Sequence, residues 1–441
     1  MRPLLPHRAH EALVRFFAKR RRRARGEVVV GHHNQNHIVP LGQPLAYLLG
    51  MESGRVRAKF RVPYETVEVV PRVWRESDVL RVVSERLSDV PRCLADFGEW
   101  SLHAYVPGTS LAERNPDGPV GEDRMTVLAG FFAALAGVPR DALPERPADW
   151  PDSDNQAFLH RLARFADEEV NQRNRPRFGG LFKGVGIPDD AVERFLASAP
   201  RLVARPFALL HTDLHRANIV VTHAPDGERL SVLDWELSLY GDPLHDLATH
   251  VVRMGYDEAE QKLMTELWAE AMRREGHASL TAGLESDLPA YVRFEHVQSV
   301  FPDVMRAALA LPEEPSSEDL RQAAGRVRRA LDRMWAALEP GREPEGEPVE
   351  ETVVVQALRR WHAEDSARRL ADRSGDGGGW CPDADRPKGI AGTPRRGRDR
   401  RSDRGPAPTW AADLGRGSEA VREGWSRVGE PLVEGLERNA C

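Results

Sequence analysis

The sequence has few cysteines, no long apolar run and little net charge, and each deficit excludes a class of protein. Its three cysteines, Cys93, Cys381 and Cys441, are too few and too scattered for a disulfide framework or a zinc site. No run of eighteen apolar residues occurs, so we expect no membrane span. A net charge of −6 over 441 residues gives no reason to expect a nucleic-acid partner.

The N-terminal segment, residues 1–26, lacks the apolar core of a signal peptide and contains a run of basic residues from Lys19 to Arg25. We interpret this segment as a solvated basic helix rather than an arm for lipid or nucleic acid, because charge runs alone are weak evidence. Since the scattered cysteines suit a reducing compartment, a cytoplasmic location is expected. A hydrophobic content of 41% is ordinary for a globular protein of this length.

Two acidic motifs lie close together in the sequence, His211–Asn218 (H-T-D-L-H-R-A-N) and Leu233–Glu236 (L-D-W-E). Phosphoryl transfer to a hydroxyl requires one carboxylate that faces the proton of the acceptor and oxygen ligands that hold magnesium against the phosphates. Asp213 can be the first, and Asn218 and Asp234 the others. Apolar runs on either side of a turn at residues 224–227 predict a hairpin that aims Asn218 and Asp234 at one point.

These two motifs, with G-D-P-x-x-D-L-A at Gly241–Ala248, resemble the aminoglycoside phosphotransferase family, which is related to the eukaryotic protein kinases. The resemblance implies an α+β, protein-kinase-like two-lobe fold, with a small β-rich N-lobe and a larger helical C-lobe. It also implies ATP and Mg²⁺, with Asp213 as the catalytic base and Asn218 and Asp234 as metal ligands. Because His215 stands where protein kinases usually carry Lys, and no activation loop fits before Gly241, a small-molecule kinase is favoured.

Four segments are predicted along the chain. Residues 1–26 form the basic helix, residues 27–106 the nucleotide-binding N-lobe and residues 107–373 the catalytic and acceptor-binding C-lobe. Residues 374–441 form a disordered tail rich in Arg, Gly and Pro, with a short helix near its end. Within the N-lobe, the pattern predicts strands at residues 28–30, 38–39, 56–62 and 67–73, then a helix at 75–87.

Residues that bind the nucleotide are expected in two places in the N-lobe. The family's nucleotide loop falls at residues 31–36, where Gly31 and Asn34 could free backbone N–H groups for phosphate, although an ordinary hairpin turn explains this segment equally well. The segment that ends in Pro107-Gly108 resembles the connector between the lobes, where backbone groups near His103 and Tyr105 would meet adenine.

A cation that pairs the phosphates is expected on the third strand, held by a carboxylate of the following helix. Arg72 is the candidate for the cation, with Glu76 as its partner, and Lys59 and Asp78 are the second choices. Guanidinium can bind phosphate bidentately, so arginine in place of lysine is compatible with activity. A surface ion pair on a solvated edge explains Arg72 and Glu76 equally well.

Two other functions are open to the same residues. The ligands of a metal-dependent phosphohydrolase could be His211, Asp213 and His215 together with the pair His245-Asp246 and His250, since imidazole and carboxylate bind divalent cations. The chain could also be a nucleotide-binding module without activity. The acceptor is expected to be a small hydroxylated molecule, and the acidic residues of the C-lobe suggest a cationic one.

Overall fold

The computed structural model describes residues 27–30, 34–40, 55–61, 69–96, 98, 100–225, 227–340 and 349–375. The predicted basic helix at 1–26, Gly31 of the predicted nucleotide loop and the tail from residue 376 onward lie outside the described residues. The chain divides into two compact units, residues 1–311 with 316–362, and residues 312–315 with 363–441. The motifs of the predicted site all belong to the first unit.

The N-lobe is an antiparallel sheet of five strands with order β1-β2-β3-β5-β4. Its strands are β1 (Glu27–Val30), β2 (Asn34–Pro40), β3 (Arg55–Arg61), β4 (Cys93–Asp96) and β5 (Trp100–Ala104). Helix α1 (Glu76–Val83) lies between β3 and β4 in sequence and buries one apolar face, Val79, Leu80 and Val83. Three strands, a helix and two further strands is the order expected for a kinase-like N-lobe.

The structure corrects three predictions in the N-lobe. Residues 69–73 form no strand: Val69 and Val70 are buried, and Pro71 has no N–H for a strand ladder. The β-branched run therefore signals burial rather than a strand. Asn34 is the first residue of β2, paired with Arg61, and not part of a loop. Helix α1 ends at Val83, because turns replace the predicted last helical turn.

The C-lobe is mainly helical. Its helices are α2 (Leu111–Arg114), α3 (Glu122–Ala136), α4 (Asn155–Phe165), α5 (Arg173–Gly184), α6 (Ala191–Ser198), α7 (Pro243–Arg253), α8 (Glu258–Arg274), α9 (Leu284–Leu309), α10 (Ser317–Leu338) and α11 (Glu351–Gly375). A π-helical segment, Ala166–Gln172, joins α4 to α5. Helix α11 runs two residues past the predicted boundary at 373.

Short strands carry the two motifs of the predicted site. They are β6 (Thr109–Ser110), β7 (Ala208–Leu210), β8 (Ile219–Ala224), β9 (Gly227–Val232) and β10 (Leu239–Gly241). Strands β8 and β9 pair as the predicted antiparallel hairpin, with Ile219 opposite Val232. Residues 218 and 233, which flank these ends, are also joined, since Leu233 N donates to the Asn218 carbonyl at 2.8 Å. The hairpin thus brings the ends of both motifs together.

The G-D-P motif at residues 241–243 has a structural explanation. A Cβ on Gly241 would lie 2.3 Å from the Phe158 ring, so only glycine fits this approach. Asp242 caps α7 by accepting from Leu244 N, and Pro243 occupies the first helical position. The Asp242 carboxylate also pairs with the buried guanidinium of Arg205 at 2.5 Å. The motif therefore anchors the start of α7.

No helix in the described part of the chain is long and apolar enough to cross a membrane.

Candidate active site

The loop after β7, His211–Asn218, is held from below by helix α7. Both carboxylate oxygens of Asp246 accept from this loop, one from His211 N and one from Thr212 N, each at 2.8 Å. Thr212 has a φ of 60°, a conformation that threonine rarely adopts, and its hydroxyl donates to the Leu237 carbonyl at 2.6 Å. Non-glycine residues with such backbone angles persist where surrounding contacts over-determine them, and they concentrate at functional sites.

His211 supports the loop from inside the core. Its Nε2 donates to the Leu233 carbonyl at 3.1 Å, and its Nδ1 accepts from Asp213 N at 3.3 Å. The Trp235 ring packs edge-on against the imidazole, with centroids 4.9 Å apart. Burial lowers the pKa of His211 to about 4, so the ring is neutral near pH 7. Both ring nitrogens are engaged with backbone, so His211 links the two motifs as a structural residue.

The structure brings Asp213, Asn218 and Asp234 together. The Asn218 amide donates to the Asp213 carboxylate and to the Asp213 carbonyl, both at 2.9 Å. Asp234 directly follows Leu233, whose N–H is bonded to Asn218. Asp234 has a φ of 65°, the second left-handed residue other than glycine in the described chain. The charges of Asp213 and Asp234 both act on the pKa of His211.

Arg253, at the C-terminal end of α7, is the strongest electrostatic partner of Asp213. Its Nη1 donates to Asp213 Oδ1 at 2.5 Å, and its Nε donates to the buried carboxylate of Glu295 at 2.9 Å. His215 Nε2 approaches the same Asp213 oxygen at 3.5 Å. Burial would raise the pKa of Asp213, but the hydrogen bond from His215 and the charge of Arg253 outweigh it and hold this pKa well below its usual range. Asp213 is therefore ionised at every physiological pH.

The polar groups at this point suit magnesium. Both hydrogen bonds of Asn218 to Asp213 use its Nδ2, so the Asn218 Oδ1 takes no part in them and can serve as an oxygen ligand. Hard oxygen donors are what Mg²⁺ prefers, and it commonly takes one or two protein oxygens together with phosphate oxygens and water. The described residues contain no group of three or more His, Cys, Asp or Glu arranged around a metal position. Asn218 and Asp234 would thus hold the ion jointly with a nucleotide.

Arg72 and Glu76, which were expected to form a pair that binds the phosphates, each contact the second motif. Arg72 Nη1 forms a salt bridge with Glu236 at 3.0 Å, two residues after Asp234. The Glu76 carboxylate accepts from Trp235 N at 3.1 Å, which ties the start of α1 to the second motif. Arg72 lies outside any strand, whereas Lys59 lies on β3, the third and central strand of the sheet, opposite Ser101 of β5. The expected position on the third strand is therefore that of Lys59.

The predicted adenine connector follows the sheet. His103 belongs to β5, is 2% exposed and is bonded through Nε2 to the Ser101 hydroxyl at 2.6 Å. Tyr105 begins the segment without regular structure that leads to β6 and the C-lobe. The backbone at residues 103–105 therefore lies where the sheet meets the helical lobe, as expected of a connector.

The orientation of the histidines contradicts the phosphohydrolase alternative. His211 is turned toward backbone groups. His250 Nδ1 donates to the Leu214 carbonyl at 2.8 Å, and its Nε2 accepts from the Tyr256 hydroxyl at 3.2 Å. His245 is packed among aromatic rings, including Phe158 at 5.8 Å. None of these rings points with Asp213 at a shared ligand position.

Sequence reasoning missed Arg253 and Glu295. Arg253 lies seven residues after Asp246, two helical turns along the same face of α7, and this spacing was a usable signal once Asp246 was placed beneath the loop. Glu295 lies in the middle of α9, and nothing in its local sequence distinguishes it from a surface acid.

A sequence profile of the phosphotransferase enzyme family matches residues 13–286, more than half of the chain. A comparison with curated protein sequences finds no match.

Solved structures of similar fold include small-molecule kinases. An ethanolamine kinase from Plasmodium vivax has 13% identity and a TM-score of 0.46, with 71% of this chain and 82% of that chain covered. A choline/ethanolamine kinase family protein from Mesorhizobium loti has 16% identity and a TM-score of 0.41, covering 76% and 92%. A macrolide 2'-phosphotransferase from Brachybacterium faecium has 17% identity and a TM-score of 0.39, covering 76% and 99%.

The matched profile includes the loop at 211–218, the motif at 233–236 and the start of α7 in one continuous stretch. The chain therefore belongs to the phosphotransferase enzyme family.

Proposed function

We propose that the protein transfers the γ-phosphoryl group of ATP, with magnesium, to a hydroxyl of a small molecule. The observation that carries this proposal is the joint placement of Asp213, Asn218 and Asp234: the Asn218 amide is bonded to Asp213, and the Asn218 backbone carbonyl is bonded to N of Leu233, the residue before Asp234. An acid for the acceptor and an amide–acid pair for the metal are the parts that phosphoryl transfer needs. A cytoplasmic location, where ATP is made, belongs to the same proposal.

Asp213 is proposed to bind the acceptor hydroxyl. Its carboxylate is ionised and 16% exposed, so one oxygen can accept a hydrogen bond from the hydroxyl while Arg253 and Asn218 hold the group in place. As the acceptor oxygen bonds to the γ-phosphorus, the bond from that phosphorus to the bridging oxygen breaks and ADP leaves, while the hydroxyl proton moves to Asp213. Magnesium, when bound, supplies positive charge against the phosphate oxygens. Most of the acceleration would come from positioning and charge neutralisation, since the protein forms no covalent bond.

We propose that backbone groups at residues 103–105 bind the adenine of the nucleotide. The segment that contains Gly31 and Asn34 would bind its phosphates, and Lys59 would pair with their negative charge. The central position of β3 supports Lys59 over Arg72, because Arg72 is engaged with Glu236. In this scheme Glu76 fixes the start of α1 against the second motif, through its bond to Trp235 N. Arg72 and Glu236 would then join N-lobe to C-lobe beside the metal ligands.

The second candidate is a nucleotide-binding module without turnover. Its supporting observation is that the Asp213 carboxylate is engaged by Arg253 at 2.5 Å, which weakens its basicity. Against it, a catalytic base of this kind acts chiefly by orienting the hydroxyl, which an ionised and well-held carboxylate does.

The test is transfer of labelled γ-phosphoryl from ATP with Mg²⁺ to a panel of hydroxylated compounds, comparing wild type with Asp213→Ala. The panel contains amino-sugars, macrolides, choline, amino alcohols, neutral sugars, hydroxy acids and sugar phosphates. Transfer that is lost in Asp213→Ala supports the proposal. Binding of ATP and Mg²⁺, read as a rise in melting temperature, with no transfer to any compound, favours the inactive module.

Lys59→Met and Arg72→Met form a matched pair for the nucleotide site. We expect Lys59→Met to raise the KM for ATP and lower kcat, and Arg72→Met to have the smaller effect on both. The reverse order would return the phosphate-pairing role to Arg72.

A further inference from the structure

Six charged residues form one surface on the C-lobe beside the catalytic loop. We call it the acceptor wall, and its members are Asp213, Arg253, Glu295, Asp303, Arg306 and Arg333. Glu295 and Arg306 lie on one side of α9, because eleven residues return to within about 20° of the same direction on a helix, and Asp303 lies about 60° from Arg306. Arg333 reaches the wall from α10. The wall thus contains Asp213, two further carboxylates and three guanidiniums, and the charges of Arg253 and Glu295 act on both Asp303 and Arg306.

The acids of the acceptor wall are already matched by arginines. Arg253 bridges Asp213 and Glu295, and Glu295 also accepts from the amide of Gln298. Arg333 pairs with Asp303 at 3.1 Å. A cationic acceptor would therefore have to displace an arginine from each carboxylate it approached, and burial makes such an exchange costly at Glu295, which is 2% exposed. The acids thus favour a cationic acceptor less than the sequence suggested.

One positively charged group of the acceptor wall, the guanidinium of Arg306, can still bind a ligand. Arg306 makes no hydrogen bond to any residue in the described ranges, and its nearest carboxylate oxygen, on Asp303, is 3.9 Å away. Its side chain is 39% exposed, so the guanidinium can reach a ligand. Burial lowers the pKa of Arg306, and the charges of Arg253 and Asp213 also act on it, so this guanidinium lies within electrostatic range of the catalytic loop.

We infer that the acceptor carries a carboxylate or phosphate group in addition to its hydroxyl, and that Arg306 binds this anionic group. The inference rests on the proposed function, since it names the class of acceptor for the same site. A guanidinium presents five donors in a planar fork that matches carboxylate and phosphate oxygens in bidentate fashion. Its charge also offsets the repulsion between an anionic acceptor and the ionised Asp213.

The experiment measures phosphoryl transfer from ATP to acceptors that share a skeleton and differ in charge. One series is glycerol, 3-aminopropane-1,2-diol, glyceric acid and glycerol 3-phosphate, and a second is glucose, glucosamine, glucuronic acid and glucose 6-phosphate. Larger hydroxylated metabolites of each charge extend both series. We expect the anionic members to have the highest kcat/KM. Comparing the two carboxylic acids with the two phosphate esters shows whether the site recognises a carboxylate or a phosphate.

Arg306→Gln supplies the test of the residue. It should raise the KM for the anionic acceptor about 10- to 100-fold, as expected for loss of charge-assisted hydrogen bonds, and leave the KM for ATP unchanged. The KM for a neutral acceptor should not change, and Arg306→Lys should show an intermediate effect because it keeps the charge without the fork. The control is Arg321→Gln, an exposed arginine of α10 paired with Glu318, about 18 Å along the helix from Arg333. It should behave as wild type.

The outcomes separate this inference from the proposed function. Preferred transfer to neutral or cationic members, or an equal effect of Arg306→Gln on every acceptor, overturns the anionic acceptor and leaves the kinase proposal intact. Transfer to none of the compounds while ATP and Mg²⁺ still raise the melting temperature counts against the inference. Failure to bind ATP with Mg²⁺ overturns the proposed function itself.

Discussion

Arg253 joins the carboxylate of Asp213, at 2.5 Å, to the buried carboxylate of Glu295, at 2.9 Å. A single guanidinium therefore fixes the acid at the catalytic position against an acid in the core of the C-lobe. Glu295 neutralises the arginine, so the Asp213 carboxylate retains its own charge for the acceptor. Burial would raise the pKa of Glu295, but the charge and hydrogen bond of Arg253 outweigh it and lower the pKa. Arg253 is thus a positioning residue in this arrangement.

Arg253→Gln should move the pH profile. Removing the guanidinium takes away a charge that lowers the pKa of Asp213, so this pKa should rise toward its ordinary range and the acid limb of kcat/KM should shift to higher pH. We expect kcat to fall about 100-fold, because a catalytic group that is no longer held loses its alignment. The measurement is steady-state kinetics from pH 4 to 9.

The double variant Arg253→Gln/Glu295→Gln is the control that separates the effect of Arg253→Gln on stability from its effect on activity. It removes the buried acid that the single variant leaves unpaired, so it should recover much of the lost melting temperature and none of the lost activity. Recovery of activity with stability would mean that Arg253 acts only on the fold.

Asp213→Ala and Asp234→Ala should each abolish turnover while the protein stays folded. Loss of a general base costs about 10²- to 10⁴-fold in rate, and loss of a metal ligand should raise the Mg²⁺ requirement as well. Turnover assays with magnesium titration measure both. Asp152→Ala, which alters an acid that pairs with Arg140 and Arg146 at the surface, should keep wild-type rates. Wild-type-like turnover in either site variant would contradict the role assigned to it.

Stability should fall as the pH drops from about 6.5 to about 4. Burial lowers the pKa of His211, His245 and His250 to about 4, so the unfolded chain binds these three protons first and acid favours unfolding. Asp246 opposes the trend, since burial raises its pKa to about 6 and the folded chain takes up that proton first. Burial also lowers the pKa of His296 and raises the pKa of Asp303, so the histidines still outnumber the aspartates and the slope is on the order of 1–3 kcal/mol per pH unit. Urea unfolding between pH 7 and 4.5 measures the slope, and a flat profile would contradict the assignment.

His245→Leu should stabilise the protein and reduce this slope by about one proton. Both ring nitrogens of His245 are buried without a hydrogen-bond partner in the described part of the chain, and aromatic side chains surround the ring. Replacing an unsatisfied buried polar group by an apolar one removes its desolvation cost, about 1–3 kcal/mol. Chemical denaturation at pH 7 and pH 5 compares the variant with wild type, and a larger gain is expected at pH 5. A loss of stability at both pH values would indicate that the imidazole has a partner such as a buried water molecule.

Gly241→Ala should destabilise the C-lobe. The new methyl group would lie 2.3 Å from the Phe158 ring, so ring and strand must move, at a cost of about 1–3 kcal/mol. Gly130→Ala is the matched control, because Gly130 lies in helix α3 with no atom within 4 Å of the new methyl group. It should stabilise by about 0.5–1 kcal/mol, since alanine favours the helix. Thermal unfolding of both variants measures the difference, and equal values would contradict the close approach.

Much of the fold was predictable from local sequence. The hairpin of β8 and β9, the buried face of α1 and helix α10 follow from apolar periodicity and turn residues, which act over a few neighbouring positions. The strand predicted at residues 67–73 was wrong over residues 69–73, because it rested on the same local signals. A β-branched run indicates burial, and periodicity alone does not tell whether a neighbouring strand is available to pair with it.

The sequence by itself determined the residues proposed for the reaction: Asp213, Asn218 and Asp234 stand in two motifs separated by one hairpin, and local pairing is enough to bring the two motifs together. The tertiary structure decided how they are held and charged. Asp246, Arg253 and Glu295 reach the site from α7 and α9, and their effect depends on the packing of helices far apart in the chain. Electrostatic influence depends on distance and burial rather than on sequence separation, so the matched acids and the unbonded Arg306 became visible only when the chain was folded.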